Sequence, residues 1–318
     1  MKPSSKSKAF AKCCKMPDLA TPALDPKNDY KSSNNNNSMI IEMTPDLAEI
    51  CGIHAGDGYM RKRGNNYELE LSGGFDEKEY YDFHVVPLFE RVFNIKIKAQ
   101  YFRTKGTYGF RTSNKDVCKT LHNCGFPYGK KTFTVSVPEE ILTSRNLDII
   151  YSFVRGVFDT DGTLSFRCRN GSGYKELLVK RHTLPEISIK VCSKNLRDGV
   201  AKLLLKTGFH FSFSDLKREK PWADQFGLIL KGDQDMLLWL VNISFKNITK
   251  LNRFLIWQKN GFCPKHLDLK SQKDILFKNL DPDTFYSNKI ILPDQRISVL
   301  AQRQLKRINY LGVAIPKD

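Results

Sequence analysis

Two short stretches about a hundred residues apart end in the same way. Ile-Cys-Gly-Ile-His-Ala-Gly-Asp-Gly occupies 50 to 58, and Val-Arg-Gly-Val-Phe-Asp-Thr-Asp-Gly occupies 154 to 162. Each delivers one carboxylate, Asp57 or Asp161, at the point where a helix should stop. The last turn of a helix carries partial negative charge, so an acid there loses a few tenths to about 1 kcal/mol. Two such acids brought together are costly unless a cation lies between them. The arrangement makes chemical sense as a divalent-metal site. A lone Asp-Gly is ordinarily a turn, and it is the recurrence that gives the pair weight.

The elements that must place these acids are amphipathic helices. Thr44-Pro45 reads as a cap followed by a first-turn proline, and Leu47, Ile50, Cys51 and Ile53 form an apolar stripe. Ile149, Ile150, Phe153, Val154 and Val157 form the second stripe. Gly52 and Gly56, and Gly156 and Thr160, recur at a spacing of four, giving each helix a face small enough for another backbone to approach. Packing along those faces would bring Asp57 and Asp161 together. Gly58 and Gly162 are expected to supply left-handed helix stops.

The segments downstream of the two motifs recur as well. Glu68-Leu-Glu answers to Glu186-Ile-Ser, Tyr108-Gly-Phe to Phe226-Gly-Leu, and Gly-Lys-Lys131-Thr to Ile-Thr-Lys250-Leu. The separations are 118 residues from Glu68 to Glu186 and from Gly109 to Gly227, and 119 from Lys131 to Lys250, against 104 from Asp57 to Asp161. One insertion of 14 residues between Asp161 and Glu186 accounts for the difference, and Asn170-Gly-Ser-Gly marks it as a longer hairpin loop. The chain is a divergent tandem duplication, with a first repeat over 39–140 and a second over 141–262.

Between the motifs the dominant period is two. Ile95, Ile97, Ala99 and Tyr101 alternate with Lys96, Lys98 and Gln100, and Phe209, Phe211 and Phe213 alternate with His210, Ser212 and Ser214. These predict strands with one apolar and one polar face, and helices over Glu77 to Phe93 and Asn195 to Thr207 are placed to cover the apolar side. The polar face is the candidate for reading a DNA groove, as two-stranded ribbons do. Arg61, Arg63, Lys96, Lys98, Gln100, Arg103, Arg111, Arg167, Arg169, Lys190 and Lys231 are the candidate DNA contacts.

The chain resembles the LAGLIDADG homing endonucleases, whose name spells the helix that occurs twice. The resemblance covers roughly 43 to 262, and Glu-Tyr-Tyr-Asp-Phe-His-Val-Val-Pro-Leu-Phe at 79 to 89, Gly-Lys-Lys-Thr at 129 to 132 and the second motif carry it further. The first motif departs from the family spelling at His54 and Ala55. The resemblance implies an α+β fold of tandem pseudo-symmetric αββαββα repeats, with the motif helices at the centre and two antiparallel sheets forming a DNA-binding β-saddle. It implies a monomer that hydrolyses two phosphodiester bonds in a long asymmetric duplex target, leaving short 3′ overhangs. Asp57 and Asp161 would then be catalytic and hold Mg2+, which polarises the scissile phosphates and activates water. Lys131 and Lys250, or Lys130 in the first repeat, are the candidates for stabilising developing charge. The same scaffold also serves as an intron RNA maturase or as a DNA-binding protein without cleavage. Both acids are retained, which argues against the last.

Composition agrees. The 318 residues hold 51 Lys and Arg against 34 Asp and Glu, a net charge of +17 that suits a polyanionic partner without distinguishing DNA from RNA. No transmembrane run or apolar signal core is present, so a soluble protein of the cytoplasm, nucleoid or an organelle matrix is expected. The 8 cysteines show no Cys-x-x-Cys spacing, which points to reduced thiols and no zinc site. Residues 1–38, rich in Ser, Lys and Asn, read as a disordered basic leader. Residues 263–318 read as a C-terminal extension, irregular to about 292 and then a basic amphipathic helix after Pro293.

Overall fold

The structure is a computed structural model that describes residues 42–168 and 181–286. The leader, Arg169, the Asn170 loop and the helix expected after Pro293 lie outside the described residues. The first half runs α1 (Pro45–Asp57), β1 (Gly58–Arg63), β2 (Asn66–Gly74), α2 (Val86–Phe93), β3 (Gln100–Phe102), β4 (Thr107–Thr112), α3 (Lys115–Asn123) and α4 (Glu139–Thr143). Helical turns over Phe75–Glu77, Lys78–Tyr80 and Tyr81–Val85 lead into α2. The second half runs α5 (Leu147–Asp161), β5 (Gly162–Cys168), β6 (His182–Val191), α6 (Lys194–Lys206), β7 (Ser212–Phe213), β8 (Phe226–Lys231), α7 (Asp233–Asn242) and α8 (Ile248–Asn260). A further helix, α9 (Leu269–Leu276), comes after them.

The sheets repeat both order and register. One is ordered β1-β2-β4-β3 and the other β5-β6-β8-β7, each antiparallel throughout. Gly58 faces Leu71 as Gly162 faces Ile189, and Ser72 faces Gly109 as Lys190 faces Gly227. The 118-residue separation read from the sequence is thus also the strand register.

Both motif helices start where the caps place them. Thr44 Oγ1 accepts from Leu47 N–H at 3.2 Å, and Asn146 Oδ1 accepts from Asp148 N–H at 2.9 Å. Both predicted stripes are buried, and α1 packs along α5 more extensively than any other two helices. The small residues permit it. A Cβ on Gly52 would lie 2.2 Å from Phe153 O, and one on Gly156 would lie 2.4 Å from Glu49 O. The two backbones are in contact, as ridge-and-groove packing of ordinary side chains would not allow.

Four expectations need correction. Gly58 and Gly162 are not left-handed stops, with φ of −82° and −84° in extended backbone. The need for glycine there is steric: a Cβ would lie 2.0 Å from His54 Nδ1 at Gly58 and 2.2 Å from Phe158 Cδ2 at Gly162. The strand predicted from Ile95 is paired only over Gln100–Phe102, because Ile97 N–H donates to Glu90 Oε1 (2.9 Å) instead of to a neighbouring strand. The strand predicted from Phe209 shrinks to Ser212–Phe213, with His210 N–H donating to Asp235 Oδ1 (3.2 Å). The stretch after 262 is not wholly irregular, since Asp268 caps α9 through Ser271 N–H (2.7 Å) and Lys273 ties it to Glu79.

A buried ion cluster crosses the helix pair. Glu49 on α1 accepts from Arg155 Nη2 on α5 (2.5 Å) and contacts His84 Nε2 (2.6 Å), and Arg155 Nη1 donates to Ile243 O (3.1 Å). Burial acts to raise the Glu49 pKa, but hydrogen bonds and charge from His84 and Arg155 overcome it and hold the carboxyl down to about 2. Cys51, Cys118, Cys124, Cys192 and Cys263 form no disulfide, and among the described residues no helix is long and apolar enough to cross a membrane.

Candidate active site at the paired helix ends

Asp57 and Asp161 are the last residues of α1 and α5, and each hands its chain directly to the strand at one edge of a sheet. A Cβ on Gly56 would lie 2.2 Å from Thr160 Oγ1 and 3.3 Å from Asp161 Oδ2, so the ends of the two helices touch. Asp161 is exposed and Asp57 half-buried. Protein crowding and the neighbouring acids Glu77 and Asp161 push the Asp57 pKa up to about 7, against a lowering hydrogen bond from Tyr81 Oη (2.9 Å). Desolvation also raises Asp161, with Lys131 and Lys250 opposing it. Two lysines, Lys131 and Lys250, thus stand against three acids, Asp57, Asp161 and Glu77.

Lys131 and Lys250 are buried rather than exposed near a turn. Lys131 Nζ donates to Ala55 O (2.6 Å) and Gly56 O (2.9 Å), while Lys250 Nζ donates to Phe158 O and to Asp159 O (2.7 Å). Each lysine caps the carbonyl end of one motif helix, where four C=O groups lack intrahelical partners. Both lysines interact electrostatically with both aspartates. Burial pulls Lys131 down to about 8, with the two acids pulling the other way, and burial lowers Lys250 likewise. Lys130 is exposed.

Sequence reasoning missed three neighbours. Glu77 accepts from Gly74 N–H (3.0 Å) and from Asn247 Nδ2 (2.8 Å), which also donates to Asp159 O (2.9 Å). A Cβ on Gly73 would lie 2.2 Å from Glu77 Oε2 and 3.2 Å from Asp57 Oδ2, so these carboxylates face each other across that glycine. Tyr81, buried in the turn before α2, holds Asp57. Nothing in residue spacing marks Glu77 or Asn247, because each acts across the boundary between the halves.

The first motif's departures have a packing explanation. His54 stands where the second motif has Phe158, fully buried and edge-on to Phe126 at 4.7 Å. Burial, with Lys131 nearby, lowers its pKa well below the usual value, so it serves as a neutral aromatic. Asp159 is buried in the second motif, accepts from Lys246 N–H (2.8 Å), and is pushed up to about 6 by desolvation.

The sheets place most of the candidate DNA contacts on one face. Met60, Leu69, Leu71, Leu164, Phe166 and Ile187 are buried, so the alternate positions take the other side. Arg61, Arg63, Gln100 and Arg111 lie there on the first sheet, and Arg167, Lys190 and Lys231 on the second. Several are held by acids: Arg61 by Glu68 (2.8 Å), Arg111 by Glu70 (2.7 Å) and Arg167 by Glu186 (2.6 Å). Lys96 and Lys98 are exposed in the segment before β3, and Arg103 is exposed in the β3–β4 turn. Arg169 lies outside the described residues.

The paired motif helices are central, and from each motif acid opens an antiparallel sheet in the same strand order, β1-β2-β4-β3 and β5-β6-β8-β7. This is the arrangement that the resemblance to the LAGLIDADG proteins implies. No family model matches the sequence. A curated relative, glutamine–fructose-6-phosphate aminotransferase (isomerizing) of Methanocaldococcus jannaschii, is 26% identical over 212 residues, which are 66% of this chain but 17% of that protein. The chain thus spans about a sixth of the relative's length. Among solved structures, I-DmoI in complex with DNA and Mn aligns at 18% identity over 64% of this chain and 98% of that one, with a TM-score of 0.43. Full-length DUF199/WhiA from Thermatoga maritima aligns at 12% identity over 86% and 94%, with a TM-score of 0.40. Among the described residues no three His, Cys, Asp or Glu side chains are arranged to hold a metal ion by themselves.

Proposed function

We propose that this chain is a site-specific DNA endonuclease that makes a double-strand break in a long, asymmetric duplex target. The observation that carries the reading is the pair Asp57 and Asp161 at touching helix ends, each with a buried lysine on the same helix end and a basic strand face opening from it. A binding surface for phosphates gains nothing from two acids at its centre, whereas phosphodiester hydrolysis needs them.

A divalent cation fits the donor set. Mg2+ is usually held by one or two carboxylates together with substrate phosphates and waters, and here Asp57, Asp161 and Glu77 outnumber the two lysines beside them. When bound, it supplies polarisation of the scissile phosphate, activation of water and stabilisation of the leaving oxygen. Asp57 and Asp161 would hold it. Tyr81 fixes the Asp57 carboxylate by hydrogen bonding one oxygen, leaving the other free. Lys131 and Lys250 each have three N–H donors and use two on helix carbonyls, so one proton of each ammonium remains for a phosphate oxygen. The outward faces of the two sheets bind the duplex on either side, and their unlike residues read unlike half-sites. One chain supplies both halves, so the enzyme works as a monomer.

Where the reading frame lies inside an intron, incubating the protein with the intron-free junction DNA and, separately, with the unspliced intron RNA separates this reading from the maturase. Mg2+-dependent cleavage of the DNA supports it. Accelerated splicing with no DNA cleavage overturns it.

A further inference from the structure

The second sheet carries a feature that the first lacks. β7 and β8 pair at Ser212 with Ile229 and Phe213 with Leu228. The same register continues through Ser214 N–H donating to Gly227 O (2.9 Å) to a bridge between Leu216 and Gln225. β6 pairs with β8 only from Phe226 onward, so beyond that point the ribbon has no third strand beside it among the described residues. Its loop, 217–224, has defined internal bonds. Asp224 Oδ1 accepts from Arg218 N–H (3.0 Å), Arg218 Nη2 donates to Gln225 Oε1 (2.8 Å), and Trp222 N–H donates to Glu219 O (3.0 Å). In the first sheet β3 and β4 close directly over Arg103–Gly106, with Lys105 N–H donating to Phe102 O (2.9 Å).

The tip of this ribbon presents Trp222, 69% exposed, with three exposed cations, Lys217, Arg218 and Lys220, against two exposed acids, Glu219 and Asp224. The chain's other tryptophans, Trp239 and Trp257, are at most 1% exposed. A large aromatic face left in water among cations is the combination that stacks on bases and neutralises phosphates. We propose that the β7–β8 ribbon is a second nucleic-acid contact, in which Trp222 wedges into a base step of the bound duplex and partly unstacks it while Lys217 and Lys220 meet the flanking phosphates. The inference rests on the DNA-binding reading above. It makes the two halves unequal, with contact reaching farther on the side of β5–β8.

The tryptophans provide the assay. With Trp239 and Trp257 buried, acrylamide, a neutral quencher, reaches Trp222 alone in the free protein. Saturating the protein with random-sequence duplex DNA, monitored by anisotropy of a label on the DNA, should remove that quenching. Trp222→Ala should weaken duplex binding about tenfold, and Trp222→Phe should retain most of the affinity while losing the quenchable emission. Duplex binding with Trp222 still quenchable and Trp222→Ala at wild-type affinity overturns the ribbon contact and leaves the DNA reading standing. No duplex binding at any salt concentration overturns both. Shielding of Trp222 that grows with protein concentration, without DNA, makes the ribbon a self-association surface and overturns the proposal.

Discussion

Replacing Glu49 by Gln keeps the side chain's size but leaves the Arg155 guanidinium without its counter-charge at the centre of the α1–α5 interface. The Glu49 side chain is 3% exposed and Arg155 16%. The carboxyl is held from its ordinary 4.5 to about 2. At 1.36 kcal/mol per unit, that difference corresponds to about 3 kcal/mol of stabilisation at neutral pH. Removing one member of a buried pair independently suggests about 3–5 kcal/mol. A carboxyl depressed by folding contributes fully above about pH 4.5, and the contribution is lost as the pH falls toward 2. Urea unfolding of wild type and Glu49→Gln should therefore differ by about 3 kcal/mol at pH 7, and the gap should narrow steadily below pH 4.5. Other acids titrate alike in both proteins and cancel. A gap under about 0.5 kcal/mol at pH 7, or one that does not change with pH, would refute the reasoning.

Gly156→Ala should destabilise by about 3 kcal/mol, because its Cβ meets the backbone of α1, while Gly64→Ala, in open space at a positive φ, should cost about 1 kcal/mol; thermal melts compare them. Lys131→Met and Lys250→Met should each lower the single-turnover cleavage rate about 100-fold while duplex affinity changes only a few-fold, and unchanged rates would leave the lysines a purely structural role. Duplex affinity should fall steeply and linearly on a log–log plot against salt concentration, and a flat response would point away from nucleic acid.

The motif helices are legible in the sequence because apolar spacing, a Thr44-Pro45 cap and small residues every fourth position all describe one local object. The register of the sheets is legible for a similar reason: the separation from Glu68 to Glu186 is the same one that aligns Gly109 with Gly227. What the sequence hides is tertiary. Alternation of apolar residues before β3 and β7 survives as alternating exposure, but Glu90 and Asp235 take backbone donors that a strand would use. Gly58 and Gly162 are readable as special, yet their cause is a neighbouring ring and not a torsion angle. Lys131 and Lys250 can be placed by their recurrence, but their burial comes from unpaired carbonyls on helices about 75 and 90 residues away. Glu77 and Asn247 join the two halves, and no local pattern announces a contact between residues that far apart.

Cleavage by Asp57→Asn and Asp161→Asn tests the paired-acid centre most directly. With Mg2+ and duplex DNA carrying the intron-free junction, the wild-type protein should produce a double-strand break. Each variant should bind the duplex within a few-fold of wild type and yield no double-strand break. Undiminished cleavage by either variant would remove that aspartate from the site and contradict the paired-acid centre on which the function rests.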